Sequence, residues 1–235
     1  MVIPSFYLPD YEPGQTLVSL DEDASRHIVQ VLRMGAGNIL HLTDGCGAQL
    51  KSEIISPNKK HCQVKILDSV FIPPAARKIA IAISLLKNND RFEWFLEKAT
   101  EIGITEIIPV ICERTEKRQF RQERLSAVLQ SAMIQSQQVW LPRLQNPNLF
   151  NELVLSSEHT QKFIAHCQQD SKAALVNLVN GAPGSQMILI GPEGDFSEDE
   201  IKLAVASQFI PVSLGETRLR SETAGVVAAC ILKMH

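Results

Sequence analysis

Two segments near the end of the chain concentrate the residues best able to do chemistry. Ile188-Leu189-Ile190-Gly191-Pro192-Glu193-Gly194-Asp195-Phe196-Ser197 runs from an apolar strand pattern into a helix start. Leu214-Gly215-Glu216-Thr217-Arg218-Leu219-Arg220-Ser221-Glu222-Thr223-Ala224-Gly225 does the same, and packs two arginines, two glutamates and three hydroxyls between very apolar stretches. Solvation of a surface loop is a poor explanation for that density. In an open α/β sheet, ligands sit beyond the carboxyl ends of the strands. Gly191 and Gly194 permit positive φ and close approach of a ligand to the backbone, although an ordinary strand-to-helix turn would use them equally well. Neither segment is a phosphate loop, because G-x-x-x-x-G-K-[ST] and a strand-linked G-x-G-x-x-G are both missing. A nucleotide-like ligand gripped by main-chain groups rather than by phosphates fits better, and S-adenosyl-L-methionine, which has no phosphate, meets that description.

The elements that must position these loops alternate. Ile79–Leu85 is a continuous apolar run, as in a strand covered on both faces. Asp90–Thr100 reads as a helix opened by an Asp90/Glu93 capping box and closed at Gly103. The pattern continues with strand 106–111, helix 121–138, strand 163–166, short helix 172–179, strand 187–190, helix 197–207 opened by Ser197 and Glu200, strand 209–214 and helix 223–234. Such alternation implies a parallel sheet with helices on both faces. The last helix, with Ala224, Val226, Val227, Ala228, Ala229, Ile231 and Leu232, is apolar nearly all round, so it is expected to lie in a core or against a second subunit. Before Pro73-Pro74 the chain differs. Strands 38–43, 49–56 and 62–67, broken by glycine turns, and a helix over 24–32 suggest a small β-barrel. The domains are therefore read as 1–72 and 73–235.

Composition is that of a globular protein: 235 residues, 45% hydrophobic and 21% charged. No apolar run is long enough to span a bilayer and the start Met1–Ser5 lacks the pattern of a leader, so a cytoplasmic protein is expected. The five cysteines stand singly, without metal-type spacing, and read as small buried hydrophobes with no metal site. Net charge is −3, yet residues 73–150 carry 11 basic and 8 acidic side chains. Arg114, Lys117, Arg118, Arg121 and Arg124 recur there at spacings of three or four, and a stripe of that kind could follow a phosphate backbone. Interleaved Glu113, Glu116 and Glu123 support the plainer reading of a solvated face.

The motif Gly191–Phe196 followed by Leu214-Gly215 and Leu219-Arg220-Ser221-Glu222-Thr223-Ala224 resembles the SPOUT methyltransferases, and among them the RsmE family. Two further segments agree in order. Arg26-His27-Ile28-Val29-Gln30-Val31-Leu32-Arg33-Met34 is similar to that family's N-terminal His-x-x-x-Val-Leu-Arg signature, and Glu97–Gly103 to its Lys-Ala-Thr-Glu-Leu-Gly segment. There are departures. Ala132–Gln138 keeps the Gln-Ser pair of the middle helix but lacks the preceding acid and the following arginine, and Asp195 stands where glycine is commoner.

The resemblance implies an α/β fold with an N-terminal PUA-like β-barrel and a C-terminal SPOUT domain tied in a trefoil knot. It further implies a homodimer joined through the knot and last helix, and S-adenosylmethionine-dependent methylation of uridine N3 in 16S ribosomal RNA, free or in the assembled small subunit. On that reading Leu189, Ile190, Gly191, Glu193, Gly194, Leu214, Gly215, Leu219, Thr223 and Ala224 hold the cofactor. Arg26, Arg33, Arg114, Lys117, Arg118, Arg121, Arg124 and Arg218 hold RNA, phosphate contacts giving position. Removing the N3 proton leaves an anion that a cation would stabilise. Arg220 is the candidate, with Arg218 second, and Glu222 is the nearest general base, or else a helix N-terminal charge. The sulfonium is itself the electrophile, so neither metal nor membrane is expected. His27 and the tryptophans Trp94 and Trp140 read as structural. Two alternatives remain, ribose 2′-O methylation on the same fold and a non-catalytic RNA-binding assembly factor.

Overall fold

The computed structural model describes residues 3–168, 172–179 and 184–234. Met1 and Val2, within the start read for a leader, lie outside them, as do the final His235 and residues 169–171 and 180–183 of the second domain reading. The chain forms two compact units, one of Met1–Pro74 with Met133–Leu141, the other of Ala75–Ala132 with Pro142–His235.

In the first unit, β1 (Ser5–Tyr7), β2 (Leu17–Ser19), β3 (Ile39–Thr43), β4 (Ala48–Ser56) and β5 (Gln63–Phe71) form one sheet in the order β1-β3-β4-β5-β2. The expected barrel is a five-stranded sheet here, with β1 and β2 as its outer strands among the described residues. The two were invisible in sequence because each is three residues long, too short to show alternation. α1 (Glu22–Arg26), capped by Asp21 and continued by a wider turn His27–Val31, lays Ile28 against Leu40, Leu42, Leu50, Ile54 and Val64, all fully buried. Met133–Leu141 returns to this unit: Gly47 N–H donates to Val139 O (2.9 Å), and Trp140 Nε1 donates to Ile72 O (2.9 Å) with its ring edge-on to Phe71. A boundary at residue 72 cannot anticipate this return, since nothing local in 133–141 marks it. Trp140 is half-buried and His27 exposed, edge-on to Phe6.

The second unit is built on β6 (Arg77–Ser84), α2 (Asn89–Ile102), β7 (Glu106–Ile111), α3 (Gln122–Gln135, whose end lies in the first unit), β8 (Arg143–Leu144), β9 (Asn148–Leu149) and α4 (Phe150–Ser156). It continues with β10 (Gln161–Ala165), β11 (Ala173–Ala174), β12 (Gly184–Ile190), α5 (Glu198–Ala206), β13 (Ile210–Ser213) and α6 (Ser221–Met234). All its strand pairs are parallel, in the order β11-β13-β10-β12-β6-β7-β8, with β9 also on β7. Alternation along β6 explains the layers. Ala80 and Ala82 face Phe150, Val154, Ile201 and Ala204 of α4 and α5. Ile83, one step along, faces the side of α2 and α6, where a Cβ on Gly225 would sit 3.2 Å from its Cδ1.

Several expectations change. α2 is capped by Asn88, whose side chain accepts from Asp90 N–H, rather than by Asp90, because Glu93 is turned outward to Arg124. Gly103 closes α2 at φ +87°, a conformation that favours glycine. The helix expected over 172–179 is the short strand β11 followed by one 3₁₀ turn, Leu175–Asn177. The run from Arg114 to Arg121 is not helical, so the basic residues there form no single stripe. Only Cys62 and Cys112 are buried, and all five cysteines are free. Trp94 is 43% exposed rather than in the core. No helix among the described residues is long and apolar enough to cross a membrane.

Candidate active site

Three strand ends lie side by side at one edge of the second sheet. β10 and β12 run in register to Ala165 and Ile190, and β13 lies against the far side of β10. The loops that follow, 191–196 and 214–220, thus meet at the carboxyl edge. There they line one cavity of about 380 Å³, with Ile190, Gly191, Pro192, Glu193 and Asp195 on one wall and Arg218, Leu219, Arg220, Ser221 and Ala224 on the other; Arg91 of α2, Ala165 of β10 and Cys167 just beyond it complete the cavity. Pockets for cofactor-sized ligands span roughly 300–1,000 Å³.

The first loop is held from several directions. The capping box at the start of α5 is present: Ser197 Oγ accepts from Glu200 N–H, and Glu200 Oε2 accepts from Ser197 N–H. The other oxygen of this buried carboxylate accepts from Glu113 N–H (2.8 Å), which brings the chain after β7 alongside. Arg114 then donates to Gly194 O (2.8 Å) and Phe196 O (3.4 Å). Burial, with the Glu200 charge adding to it, pushes the neighbouring Cys112 thiol up to about 12, so it stays protonated and inert. Glu193 Oε1 accepts from the Lys87 main-chain N–H (3.1 Å), tying the loop to the end of β6. The positive φ of this loop belongs to Asp195 (+63°) and to neither glycine. Gly191 is needed for space, since a Cβ there would lie 3.2 Å from the Phe196 ring.

The second loop turns at Gly215 (φ +147°), where Ser213 Oγ both donates to Gly215 O (2.9 Å) and accepts from its N–H (3.2 Å). Arg220 O accepts from Ala224 N–H (2.7 Å), so its main chain is the first rung of α6 while its side chain is exposed at the cavity. Glu222 is buried, 7% exposed, and faces Arg91 Nε at 3.6 Å.

Of the cofactor residues expected from sequence, Ile190, Gly191, Glu193, Leu219 and Ala224 line the cavity, as do Arg218 and Arg220. Leu189 is fully buried in the core behind it, because alternation along β12 turns its side chain to α4 and α5. Gly194, Leu214, Gly215, Thr223 and Glu222 are not in its wall. Arg91, Pro192, Asp195, Ser221, Ala165 and Cys167 are, and sequence reasoning missed them. For Ser221 and Asp195, position within the two loops was a usable signal. For Arg91, Ala165 and Cys167 there was none, since strand order alone brings them near.

The expected RNA-binding cations divide. Arg114 is spent on the loop, Arg124 makes a two-pronged pair with Glu93 (2.8 Å for Nη2–Oε2), and Arg26 pairs with Glu22 (2.7 Å) in its own helix. That contact lowers the Glu93 carboxyl below its usual range, so its contribution to stability is full above about pH 4.5 and is lost as pH falls through the lowered value. Arg33, Arg118, Arg121 and Arg218 are exposed and Lys117 is half-buried. Among the described residues no cluster of His, Cys, Asp and Glu could hold a metal ion.

A family model described as an RNA methyltransferase domain matches residues 73–233, and one described as an RNA methyltransferase PUA domain matches residues 20–67. The chain thus carries an RNA methyltransferase domain preceded by a PUA domain. A "probable rRNA-methyltransferase" from Porphyromonas gingivalis is 35% identical with a TM-score of 0.89, covering 97% of this chain and 95% of its own. A ribosomal RNA small subunit methyltransferase E from Neisseria gonorrhoeae, bound to S-adenosyl methionine, is 26% identical with a TM-score of 0.88 over 99% and 98%. A relative of the same name from Bacillus subtilis is 27% identical over 89% of this chain and 87% of its own length. The chain belongs to the RsmE family of SPOUT methyltransferases.

Proposed function

We propose that this protein transfers the methyl group of S-adenosyl-L-methionine to N3 of a uridine in small-subunit (16S) ribosomal RNA. The observation that carries the reading is the single cavity shared by the two loops at the carboxyl edge of the sheet. Its walls fit the cofactor: apolar Ile190 and Leu219 suit an adenine, Glu193 has one oxygen beyond its bond to Lys87 for hydroxyl or amino donors, and no phosphate-binding loop is present. Leu189, Gly194, Leu214, Gly215 and Thr223 contribute through main chain or by backing the wall. When bound, the cofactor supplies an electron-poor methyl group on sulfur. Arg220 stabilises the negative charge that develops on the uracil as N3 loses its proton, with Arg218 beside it. Glu222 faces Arg91 and acts on the reaction by aiming that guanidinium into the cavity, or by receiving the proton after Arg91 moves.

Residues 1–72, the exposed cations Arg33, Arg118, Arg121 and Arg218 and the half-buried Lys117 serve RNA; Arg26, Arg114 and Arg124 support the surfaces that carry them. The names of the relatives, all concerned with ribosomal RNA and two of them with that of the small subunit, support the substrate class, and a cytoplasmic location follows from it. The test is incubation with labelled cofactor and small-subunit RNA from a methylation-deficient strain, free and assembled, followed by nucleoside mass spectrometry. 3-Methyluridine is the expected product. A ribose-methylated nucleoside would favour the 2′-O alternative, and no transfer by folded protein would favour an assembly factor.

The knot and the dimer belong to the same reading. After β13, which lies outside β10, the chain returns to place α6 on α2, β6 and β12, the kind of recrossing in which a trefoil knot is tied. On α6, Val226, Val227, Cys230 and Ile231 stay half-buried, an apolar face that a second copy would cover. Val227→Glu is expected to shift the protein from dimer to monomer in sedimentation equilibrium; a wild-type monomer at micromolar concentration would refute the dimer.

A further inference from the structure

We infer that Asp195 is a positioning and charge-selecting residue of the cofactor cavity, clasping the first loop to the end of β10 and favouring a cationic ligand over its neutral counterpart. The inference rests on the cofactor reading above. The ladder between β10 and β12 ends at Ala165 and Ile190. Beyond it the side chain of Asp195 continues the pairing that the backbone has abandoned: Oδ2 accepts from Cys167 N–H (2.8 Å) and Oδ1 from Phe196 N–H (2.9 Å). Asp195 N–H meanwhile donates to Pro192 O (3.0 Å), closing the turn. All of this is held at φ +63°, a conformation glycine adopts without strain and an aspartate adopts at a cost. A residue kept there against its backbone preference is explained by what its side chain does, and here both oxygens are engaged while the residue lines the cavity.

The charge has a second consequence. The wall made by the first loop carries two carboxylates, Glu193 and Asp195, and the wall made by the second carries two guanidiniums, Arg218 and Arg220. A cavity polarised in this way suits a ligand with separated charges. S-adenosylmethionine bears a sulfonium, which its demethylated product lacks. A carboxylate in the wall therefore adds attraction for the methyl donor that the product does not feel, within the few-ångström range in which such terms survive water.

Two substitutions separate the roles, because asparagine and glycine both tolerate this φ. Asp195→Asn keeps an acceptor for Cys167 N–H and removes the charge; Asp195→Gly removes both. Amide exchange measured by NMR on the full chain is expected to be slow at Cys167 in the wild type and in Asp195→Asn, and about ten-fold or more faster in Asp195→Gly. Calorimetry is expected to show Asp195→Asn losing about three- to ten-fold in preference for S-adenosylmethionine over S-adenosylhomocysteine, with Asp195→Gly weakening both ligands. Unchanged exchange at Cys167 in Asp195→Gly would overturn the clasp, and an unchanged ligand preference in Asp195→Asn would overturn the charge selection. A wild-type protein that binds neither ligand would sink the cofactor reading and the charge selection with it, and the exchange measurement would still decide the clasp by itself.

Discussion

Arg220→Ala should slow methyl transfer by about 100- to 1,000-fold, the usual consequence of deleting one donor aimed at a developing anion. Uracil N3 becomes nucleophilic only as its proton leaves, and the charge then spreads over the ring oxygens. A guanidinium at the mouth of the cavity offers that charge a partner that binds the neutral base far less strongly, so the loss should fall on kcat more than on KM. The substitution is clean because the part of Arg220 that builds structure is its carbonyl, which accepts from Ala224 N–H, and alanine retains it. Arg220→Lys should recover part of the rate, since it keeps the charge and loses the planar fork. Single-turnover rates with saturating cofactor, beside the cofactor Kd, decide the matter. An alanine variant with normal single-turnover rate and only a raised KM would demote Arg220 to an RNA contact.

Gly225→Ala should destabilise the protein by about 1–3 kcal/mol, although alanine is the better helix former by about 1 kcal/mol. A Cβ at this position would lie 2.6 and 2.8 Å from Cε2 and Cδ2 of Phe95 and 3.2 Å from Cδ1 of Ile83. Phe95 and Ile83 are fully buried, so neither can swing into solvent to make room. The only relief is to push α6 away from α2 and β6, and that displaces Ser221 and Ala224 from the cavity wall. Urea unfolding would show the loss, and cofactor affinity should fall with it. Phe95→Leu should itself be destabilising, yet the pair should cost less than the sum, because the smaller side chain vacates the contested volume. Full additivity, or an alanine variant as stable as wild type, would mean that the helix approaches its neighbours less closely than described.

How far these arguments could be made without coordinates differs from one residue to the next. The capping box at Ser197 and Glu200, the close of α2 at Gly103 and the apolar run of β6, covered on both faces, were legible in the chain. Each depends on partners within four residues or on an unbroken run of neighbours. The cap of α2 was misread for a non-local reason: Glu93, at a suitable spacing from Asp90, is claimed by Arg124, 31 residues away. Arg114 and Arg124 look like RNA-binding cations on a charge map, and only their partners, Gly194 O and Glu93, show that they hold the scaffold together.

By itself the sequence determined the kind of fold, the two loops that would carry the site and the family, because period, punctuation and motif are properties of neighbours along a chain. Tertiary structure alone decided that Met133–Leu141 turns back to the first unit, that Arg91 and Cys167 complete the cavity, and that Asp195 spans the gap between β10 and β12. Those contacts join residues from 28 to more than 100 positions apart. The Asp195–Cys167 contact exists because β10 lies beside β12, and Arg91 is near because β6 lies on the other side of β12, an order set by which apolar faces can be buried together and written in no local pattern.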